Sequence, residues 1–365
     1  MAFAWGPHYK FAMLLEYLPI LLTIIVCEFA DPLGRWLGVI DHPDADRKSH
    51  GRPTAMVGGL AIMLPLSLWA MIELIQGHGD QTGFYLSLLL CGGGVAILGF
   101  MDDQRTISAG GRLLLLAIFS LVALRLDPAL SGDRIMTASH HWIAIPPYVL
   151  PSVTVIALTG FSSAVNLTDG LNGLVLALVL IWTFCLVWLG DPLASGAASI
   201  IAATGLITLL YNVRGRLFLG DCGAFAIAFC VGILAVHCHN AGRLPLETAF
   251  VWFLLPVVDC LRLIPLRIRK GRSPFQPDRE HFHYRLSARL GEPGATAAYA
   301  GTVAVTSAAA VWLPQGWAFC AAAALAVYGG FLLADALAPK TNVRSGEAEA
   351  PENIVRLGKR SSKDG

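Results

Sequence analysis

The sequence predicts an all-α polytopic membrane protein with about 10–11 transmembrane helices, its N-terminus outside and its C-terminus in the cytoplasm. Three observations support this prediction: the composition, a series of apolar runs and the one-sided distribution of basic residues. Of the 365 residues, 55% are hydrophobic and 14% are charged, whereas an ordinary soluble domain has about 25% charged and about 45–50% apolar residues. The composition therefore favours a membrane protein.

The apolar runs have the length of membrane spans. A spanning helix needs about 20 mostly apolar residues. We expect helices because lipid offers no hydrogen-bond partner to backbone groups, and a helix pairs these groups within itself. The fourth and eighth runs are short, so ten spans is the alternative to eleven. Residues 1–10 lack a basic stretch before the first run, and we expect that run to be retained. The candidate runs are 13–30, 56–75, 84–101, 113–126, 148–164, 174–189, 193–211, 225–236, 249–266, 295–313 and 317–333.

The basic residues set the predicted orientation. When connections are assigned to alternate sides, 22 of the 26 lysines and arginines fall on one side, which the positive-inside rule makes cytoplasmic. We expect residues 1–337 to form a single integral-membrane domain and 338–365, rich in Glu, Ser, Lys and Gly, to be a disordered cytoplasmic tail. The net charge of +1 gives no field that would attract nucleic acid. The eight scattered cysteines are interpreted as small core residues.

Polar clusters interrupt the apolar runs at their predicted cytoplasmic ends. Asp102 and Asp103 end the third run. Two adjacent carboxylates at a span end are costly without a cation or water, because ionisable groups at membrane depth are rare and usually functional. The alternative is that they only cap and solvate a helix end.

A second cluster, 166–174, has the sequence NLTDGLNGL. Asn166, Asp169 and Asn172 follow one another at intervals of three, so in helical backbone they would share a face. Such oxygen ligands suit a hard cation such as Mg²⁺, although asparagine and glycine are also typical of a helix end. In the third cluster, Asp221 stands between glycines that allow backbone or phosphate to come close.

Two further segments are basic. The segment 256–285 begins inside a span with Asp259 and Arg262, which are three apart and can pair with each other. Its arginines suit phosphate binding, but a basic loop can also be a simple anchor on the anionic membrane face. The segment 41–53 contains further acidic, basic and histidine residues. All five segments lie on the predicted cytoplasmic face, which favours one shared site.

His237, Cys238 and His239 are predicted to lie in a solvated loop on the outer side. Three successive residues cannot all face one ion, so we do not interpret them as a metal site.

The order of these motifs over 41–285 resembles that of the polyprenyl-phosphate N-acetylhexosamine-1-phosphate transferases, glycosyltransferase family 4, in the branch that uses UDP-GlcNAc or related sugars. The resemblance implies a Mg²⁺-dependent phosphoglycosyl transferase of the bacterial inner membrane, with Mn²⁺ as the alternative ion. It implies a UDP-HexNAc donor, undecaprenyl phosphate as acceptor, no nucleic acid, and UMP as a product of the initiating step of a cell-surface polysaccharide. Whether the chain forms a homodimer is left open.

The resemblance also implies roles for individual residues. Asp102, Asp103 and Asp169 would be catalytic, with Asp102 acting as a base or positioning the acceptor. Asn166 and Asp221 would bind the metal. The substrates would be bound by Lys48, His50, Asn172, Arg267, Arg269, Arg272, Asp278, His281 and His283.

Three positions depart from the family pattern: Asn172 where many relatives carry aspartate, Ala224 where serine is common, and Tyr284 where a further histidine is usual. A transporter or flippase of an anionic lipid-linked sugar is the alternative function. Transport sites tend to lie near the membrane midplane, whereas these motifs gather at one face.

Overall fold

The computed structural model describes residues 7–43, 52–77, 79–274 and 278–337, and these residues are mostly helical. The segment Gly79–Gln104 runs through α4, a π-helical stretch at Ser87–Gly92 and α5 as one continuous span. The helices are α1 (Pro7–Glu28), α2 (Ala30–Leu37), α3 (Gly58–Gln76), α4 (Thr82–Leu86), α5 (Gly93–Gln104), α6 (Ala109–Leu126), α7 (Val149–Thr168), α8 (Leu174–Leu189), α9 (Pro192–Asn212), α10 (Gly220–Asn240), α11 (Leu246–Arg269), α12 (Phe282–Trp312) and α13 (Trp317–Leu337).

The helices confirm an all-α polytopic membrane protein. Within the described residues, 9 segments are long and apolar enough to cross a membrane, or up to 10 if α1 and α2, which meet at a bend of 76°, count as one span. The apolar helix α8 has only 16 residues. Nine of the eleven predicted runs lie within one helix each, with at most two residues outside it, whereas the runs 13–30 and 84–101 extend over α1–α2 and α4–α5. The predicted tail, 338–365, lies outside the described residues.

The lengths of two runs were wrongly predicted. The fourth and eighth runs looked short, yet α6 has 18 residues and α10 has 21. Both helices continue through small or polar residues at their ends, and α10 incorporates His237, Cys238 and His239, which are buried in its last turn. The prediction of a solvated loop there is therefore wrong. The short apolar helix is α8.

Helix α10 lies at the centre of the fold and is almost entirely buried. It is apolar on all sides, as expected for a helix surrounded by others. A Cβ added to Gly59 of α3 would lie 2.3 Å from the backbone nitrogen of Gly223, and a Cβ on Gly99 of α5 would lie 2.4 Å from the carbonyl oxygen of Asp221. Such backbone contact between membrane helices requires small residues. The glycines thus bring α3 and α5 against the N-terminal end of α10.

Two short hairpins lie at opposite ends of α10. Strands β1 (Ile40–Asp41) and β2 (Thr54–Ala55) pair antiparallel, and Phe218 N–H donates to the Ala55 carbonyl just before α10 begins. Strands β3 (Arg134–Met136) and β4 (Trp142–Ala144) pair near the other end, where Met136 N–H donates to His239 Nε2. The first hairpin thereby carries Asp41 to the start of α10.

Candidate active site

A cavity of about 650 Å³ opens where α5, α7, α10 and α12 come together. This volume is within the range of about 300–1,000 Å³ typical of small-molecule sites. All five polar segments contribute to its lining, so the structure brings them together at one end of the helix bundle. The lining residues that matter below are Asp41, Asp103, Asp169, Gly170, Asn172, Asp221, Arg279, Tyr284, Arg285 and Asp335.

Four carboxylates form an acidic side of this cavity: Asp41, Asp103, Asp169 and Asp221. Asp103 is held by α10, because its Oδ1 accepts from Asp221 N–H at 2.9 Å and its Oδ2 accepts from Cys222 N–H at 3.1 Å. A carboxylate bonded to the first amides of a helix acts as an N-cap and interacts favourably with the helix dipole. Asp103 therefore links α5 to α10 and lines the cavity at the same time.

Gly220 makes this capping arrangement possible. Its φ of +72° is in the left-handed region, and a Cβ there would lie 2.8 Å from Asp103 Oδ2. Any side chain would meet both a backbone penalty and a clash. The glycine before Asp221 is thus required by the turn and by the close approach of the carboxylate.

Asp169 lies in the turn that follows α7. Burial and, to a smaller extent, the neighbouring carboxylate of Asp103 together raise its pKa from 3.8 to about 7. Both causes disfavour the ionised form. The acidic side of the cavity thus concentrates negative charge that a bound cation would stabilise.

The two asparagines of the second cluster have different positions. Asn166 lies in α7 behind Asp221 and donates from Nδ2 to Asp221 Oδ1 at 2.7 Å. Because α7 ends at Thr168, Asn172 is not on the same helical face as Asn166; it lies in the following turn and lines the cavity. That turn is fixed by Asn212, whose Oδ1 accepts from Gly173 N–H and whose Nδ2 donates to the Leu217 carbonyl.

Asp102 points away from the cavity. Its side chain is only 2% exposed, and its oxygens accept from Arg112 Nη1 and from Ile107 N–H, both at 2.6 Å. The same Arg112 nitrogen is 3.9 Å from Asp221 Oδ2. Arg112 thus connects the two aspartates, and Asp102 does not belong to the cavity lining. Its predicted role as a base stays a prediction.

Basic residues of the cavity lining come from the start of α12 and the residues just before it. Arg279, Tyr284 and Arg285 line the cavity, and the Arg279 guanidinium lies 5.9 Å from the centre of the Tyr284 ring. In the sequence these residues stand out only as part of a basic segment. They lie beside the buried anchor residues of that segment, Arg279 between Asp278 and His281, and Tyr284 and Arg285 after His281.

Those anchor residues are Arg267, Asp278 and His281, which the sequence analysis assigned to substrate binding. Arg267 is buried and donates from Nε to Asp278 Oδ2 at 2.8 Å, and its Nη2 is 3.3 Å from His281 Nε2. Burial raises the pKa of Asp278, but its hydrogen bonds to Arg267 and to the Glu280 amide, together with the charge of Arg267, outweigh burial, and the net shift is downward. None of the three lines the cavity, so in this arrangement they can act on a ligand only by supporting its wall.

Asp259 is the centre of this buried network. Its carboxylate accepts from Arg262 Nη2 at 3.0 Å, from Tyr328 Oη at 2.9 Å and from Phe282 N–H, and its Oδ2 is 2.8 Å from His281 Nδ1. The predicted Asp259–Arg262 pair is therefore confirmed. The carboxylate also caps the first turn of α12, since the Phe282 amide belongs to that turn.

Asp259, His281 and His283 offer ligand atoms within 4.8 Å of one another, a spacing that could suit a metal ion. Asp259, however, already accepts hydrogen bonds from three neighbouring elements, and the guanidinium groups of Arg262 and Arg267 contact this cluster. A further cation would be repelled by these two charges. We therefore assign the cluster to the support of α12.

Arg269 and Arg272, two further residues predicted to bind substrate, are described by the structure and have no part in the cavity lining. Both are exposed, and Arg272 Nη1 lies 3.8 Å from Glu280 Oε1. Lys48 and His50 lie outside the described residues.

The donor atoms on the acidic side fit Mg²⁺. Carboxylate oxygens of Asp103, Asp169 and Asp221 line one cavity, the side-chain amide of Asn166 is bonded to one of them, and oxygen ligands are what Mg²⁺ prefers. The raised pKa of Asp169 shows that its ionised form is disfavoured by burial and by Asp103, and a bound cation would stabilise that form.

Comparison with known proteins finds one matching family model and several relatives. The family model for glycosyl transferase family 4 matches residues 85–239, which include Asp103, Asp169 and Asp221. The undecaprenyl-phosphate alpha-N-acetylglucosaminyl 1-phosphate transferase of Escherichia coli (strain K12) is 26% identical over 283 residues, covering 73% of this chain and 74% of the relative.

Two other relatives match over a similar length. The enzyme of the same name from Salmonella typhi is 28% identical over 287 residues, or 74% of this chain and 75% of the relative. A probable undecaprenyl-phosphate N-acetylglucosaminyl 1-phosphate transferase of Bacillus subtilis (strain 168) is 26% identical over 281 residues, again 74% and 75%. With the polar motifs gathered around one cavity, these matches lead to one conclusion: over residues 85–239 the chain is similar to glycosyl transferase family 4.

Proposed function

We propose that this protein transfers a HexNAc-1-phosphate, with GlcNAc-1-phosphate as the first candidate, from a UDP-sugar to undecaprenyl phosphate. The products are undecaprenyl-diphosphate-sugar and UMP. The observation that carries this proposal is one cavity whose lining combines the carboxylates of Asp103, Asp169 and Asp221 with the guanidinium groups of Arg279 and Arg285. The names of the relatives from E. coli, Salmonella typhi and Bacillus subtilis support the acceptor and the sugar.

The cavity lining carries both signs of charge, which suits a reaction between two substrates that both carry phosphate. Donor and acceptor both carry phosphate, so the reaction must bring like charges together. Arginine suits this task because its planar guanidinium binds phosphate oxygens with two parallel hydrogen bonds. Arg279 and Arg285 would orient the donor diphosphate, while the acidic side would hold the cation that accompanies it.

The metal would be Mg²⁺, held by Asp103, Asp169 and Asp221 with Asn166 supporting Asp221. When bound, it would neutralise charge that develops on the leaving UMP. Asp103 would have a fixed orientation because two amides of α10 already hold it. Such preorganisation avoids the free-energy cost of reorienting the carboxylate during the reaction.

In the proposed reaction, an oxygen of undecaprenyl phosphate attacks the phosphorus that carries the sugar. A new P–O bond forms to the lipid, and the bond to the UMP oxygen breaks with its electron pair going to UMP. The attacking phosphate is ionised at neutral pH, so a strong general base is not required. In this scheme Asp102 fixes Arg112 rather than accepting a proton.

An apolar groove between α7, α10 and α11 supports a prenyl-chain acceptor. It has a volume of about 330 Å³ and a lining that is almost wholly apolar. Several lining side chains are about half exposed, including Val153, Phe250 and Leu261, so the groove is open on its side. In a membrane that side would face lipid.

We further propose that the cavity faces the cytoplasm of the bacterial inner membrane and that the product begins a cell-surface polysaccharide such as an O-antigen. The support is the excess of lysine and arginine on the predicted cytoplasmic connections. An impermeant reagent that labels a cysteine substituted for Arg272 from outside intact cells would contradict this orientation.

The deciding experiment measures UMP release by purified protein with undecaprenyl phosphate and Mg²⁺. Parallel reactions contain UDP-GlcNAc, UDP-GalNAc or a 6-deoxy UDP-HexNAc. Release with one donor would support the reaction and identify the sugar. Folded protein that releases no UMP with any of them would contradict the proposal and favour the transporter alternative.

A further inference from the structure

Arg285 is held in the cavity wall by two partners. Its Nε donates to the Glu280 carbonyl at 3.3 Å, and its Nη1 donates to Asp335 Oδ2 at 2.8 Å. Among the residues that the structure describes, its Nη2 has no hydrogen-bond partner. The guanidinium is therefore fixed on two sides and has one nitrogen available for a ligand.

Asp335 belongs to the last turn of α13 and lines the same cavity. Its other oxygen, Oδ1, accepts from Arg289 Nε at 2.8 Å. One carboxylate thus joins two arginines of α12, but only Arg285 is part of the cavity lining. Arg289 also donates to the carbonyl groups of Ala334 and Asp335 at the end of α13.

The position of Arg285 suits the donor better than the acceptor. The apolar groove proposed for the prenyl chain is lined by α7, α10 and α11 with Ile135, and none of its described lining residues comes from α12 or α13. Arg285 and Asp335 lie instead on the wall that also contains Arg279 and Tyr284. A phosphate that reaches this wall is most simply one carried by the soluble nucleotide.

The geometry points to Arg285 as a specific contact for a phosphate group of the UDP-sugar, and to Asp335 as the positioning residue that orients Arg285 for it. This inference rests on the proposed function and deepens it. A salt bridge that fixes an arginine lowers the entropy lost when the arginine binds a ligand. Asp335 therefore strengthens donor binding although its own charge is negative.

Equilibrium binding of UDP-GlcNAc and UDP-GalNAc to the purified full-length protein, with Mg²⁺ and without acceptor, tests this inference. We expect Arg285→Ala to raise the donor Kd about tenfold, the loss typical of a charge-assisted hydrogen bond. Asp335→Asn keeps the shape and removes the charge, and it should raise the donor Kd about threefold. Arg289→Ala is the matched control, because it removes an Asp335 partner outside the cavity, and its donor Kd should change less than twofold.

The double variant separates positioning from direct contact. If Asp335 acts through Arg285, Arg285→Ala with Asp335→Asn should bind the donor as Arg285→Ala does alone. The KM for undecaprenyl phosphate should be unchanged in all variants. Arg285→Lys keeps the charge but loses the planar guanidinium, so its donor Kd should lie between those of wild type and Arg285→Ala. This variant provides the test if the alanine variant does not fold.

Each outcome has a definite meaning. Wild-type donor affinity in Arg285→Ala or Arg285→Lys would overturn the inference while leaving the proposed function intact. An altered acceptor KM with normal donor Kd would assign Arg285 to the acceptor phosphate and overturn it as well. Equal increases in the donor Kd for Asp335→Asn and Arg289→Ala would show that Asp335 only docks α13 against α12, which would overturn its role as a positioning residue. Wild-type protein that binds neither UDP-sugar would contradict the proposed function itself.

Discussion

Asp103 Oδ1 lies 2.9 Å from the backbone nitrogen of Asp221, so the carboxylate at the end of α5 caps the helix on which a second carboxylate stands. The two aspartates are 118 residues apart in sequence. The hydrogen bond fixes their relative position and places both on the acidic side of one cavity. The same contact therefore stabilises the fold and organises the site.

Substitution of Asp103 should separate these two contributions. Asp103→Ala removes the cap, and we expect a loss of about 1 kcal/mol in stability together with loss of activity. Asp103→Asn keeps a capping oxygen, so most of the stability should remain while the cavity carboxylate is lost. Melting temperature and UMP release measure the two effects, with the exposed Asp80→Ala as control. An active Asp103→Asn protein would remove this carboxylate from the chemistry.

Gly170 lies in the cavity lining, next to the first turn of α12. A Cβ at this position would lie 2.2 Å from His283 Nε2 and 2.6 Å from Tyr284 Oη. Because His283 is only 1% exposed, it has little room to move away. Gly170→Ala should therefore reduce UMP release at least tenfold and lower the melting temperature.

A control and a rescue test this steric argument. Gly301→Ala is the control, since a Cβ there would have no neighbour within 4 Å. His283→Ala combined with Gly170→Ala should recover part of the lost stability, because it removes one of the two clashing groups. If Gly170→Ala matched wild type in both assays, α12 would not press on this turn in the working enzyme.

The stability of the metal-free protein should depend on Asp169. Burial and the nearby Asp103 raise its pKa from 3.8 to about 7. Between these values the folded protein binds a proton that the unfolded chain does not, so this group's contribution to stability falls as pH rises from about 4 to about 7. In the presence of chelator, the melting temperature of wild type should fall over this window more steeply than that of Asp169→Asn. Parallel curves for the two proteins would contradict the assignment.

Much of the fold could be predicted from sequence because membrane spans are encoded locally. Each apolar run forms a helix, since lipid leaves no alternative for the backbone. The errors occurred at helix ends: His237 and His239 looked like loop residues but are buried in α10. His239 is held by β3 through Met136 and by the Leu244 carbonyl, which accepts from His239 Nδ1 at 2.8 Å, and such contacts are not visible in a local pattern.

The candidate site could be predicted only in part, because its residues come from segments that are far apart in sequence. The motifs identified which segments converge, and Asp103, Asp169, Asn172 and Asp221 do line the cavity. Residue type alone could not tell which arginine of a basic segment faces the ligand. Arg267 is buried against Asp278, whereas Arg285 lines the cavity with Asp335 of another helix. No spacing rule in the sequence connects residues 285 and 335.

Removal of the metal should abolish turnover reversibly. Excess chelator should stop UMP release, and added Mg²⁺ should restore it, because the carboxylates of Asp103, Asp169 and Asp221 need a cation to bind a diphosphate. Asp221→Asn should show no recovery at any Mg²⁺ concentration. Asp31→Asn, in the first turn of α2, is the control and should keep the wild-type Mg²⁺ dependence. Undiminished activity in chelator would exclude a metal requirement.

The last prediction concerns Arg112, whose Nη1 donates to Asp102 and lies 3.9 Å from Asp221. Arg112→Ala would remove the charged partner of the buried Asp102 carboxylate and leave its hydrogen bond from the Ile107 amide, and we expect a loss of about 2 kcal/mol in stability. Arg112→Lys should lose less, because it retains the charge. The exposed Arg105→Ala is the control for removal of a neighbouring cation.

A double-mutant cycle then decides how Asp102 acts. If Asp102 only holds Arg112 in place, Asp102→Asn should lower UMP release in the wild-type background but cause no further loss in Arg112→Ala, since the residue through which it acts is already gone. If Asp102 is the base that the family resemblance implies, its substitution should reduce turnover by a similar factor in both backgrounds. The buried position of Asp102, 2% exposed and saturated by Arg112 and Ile107, favours the first result.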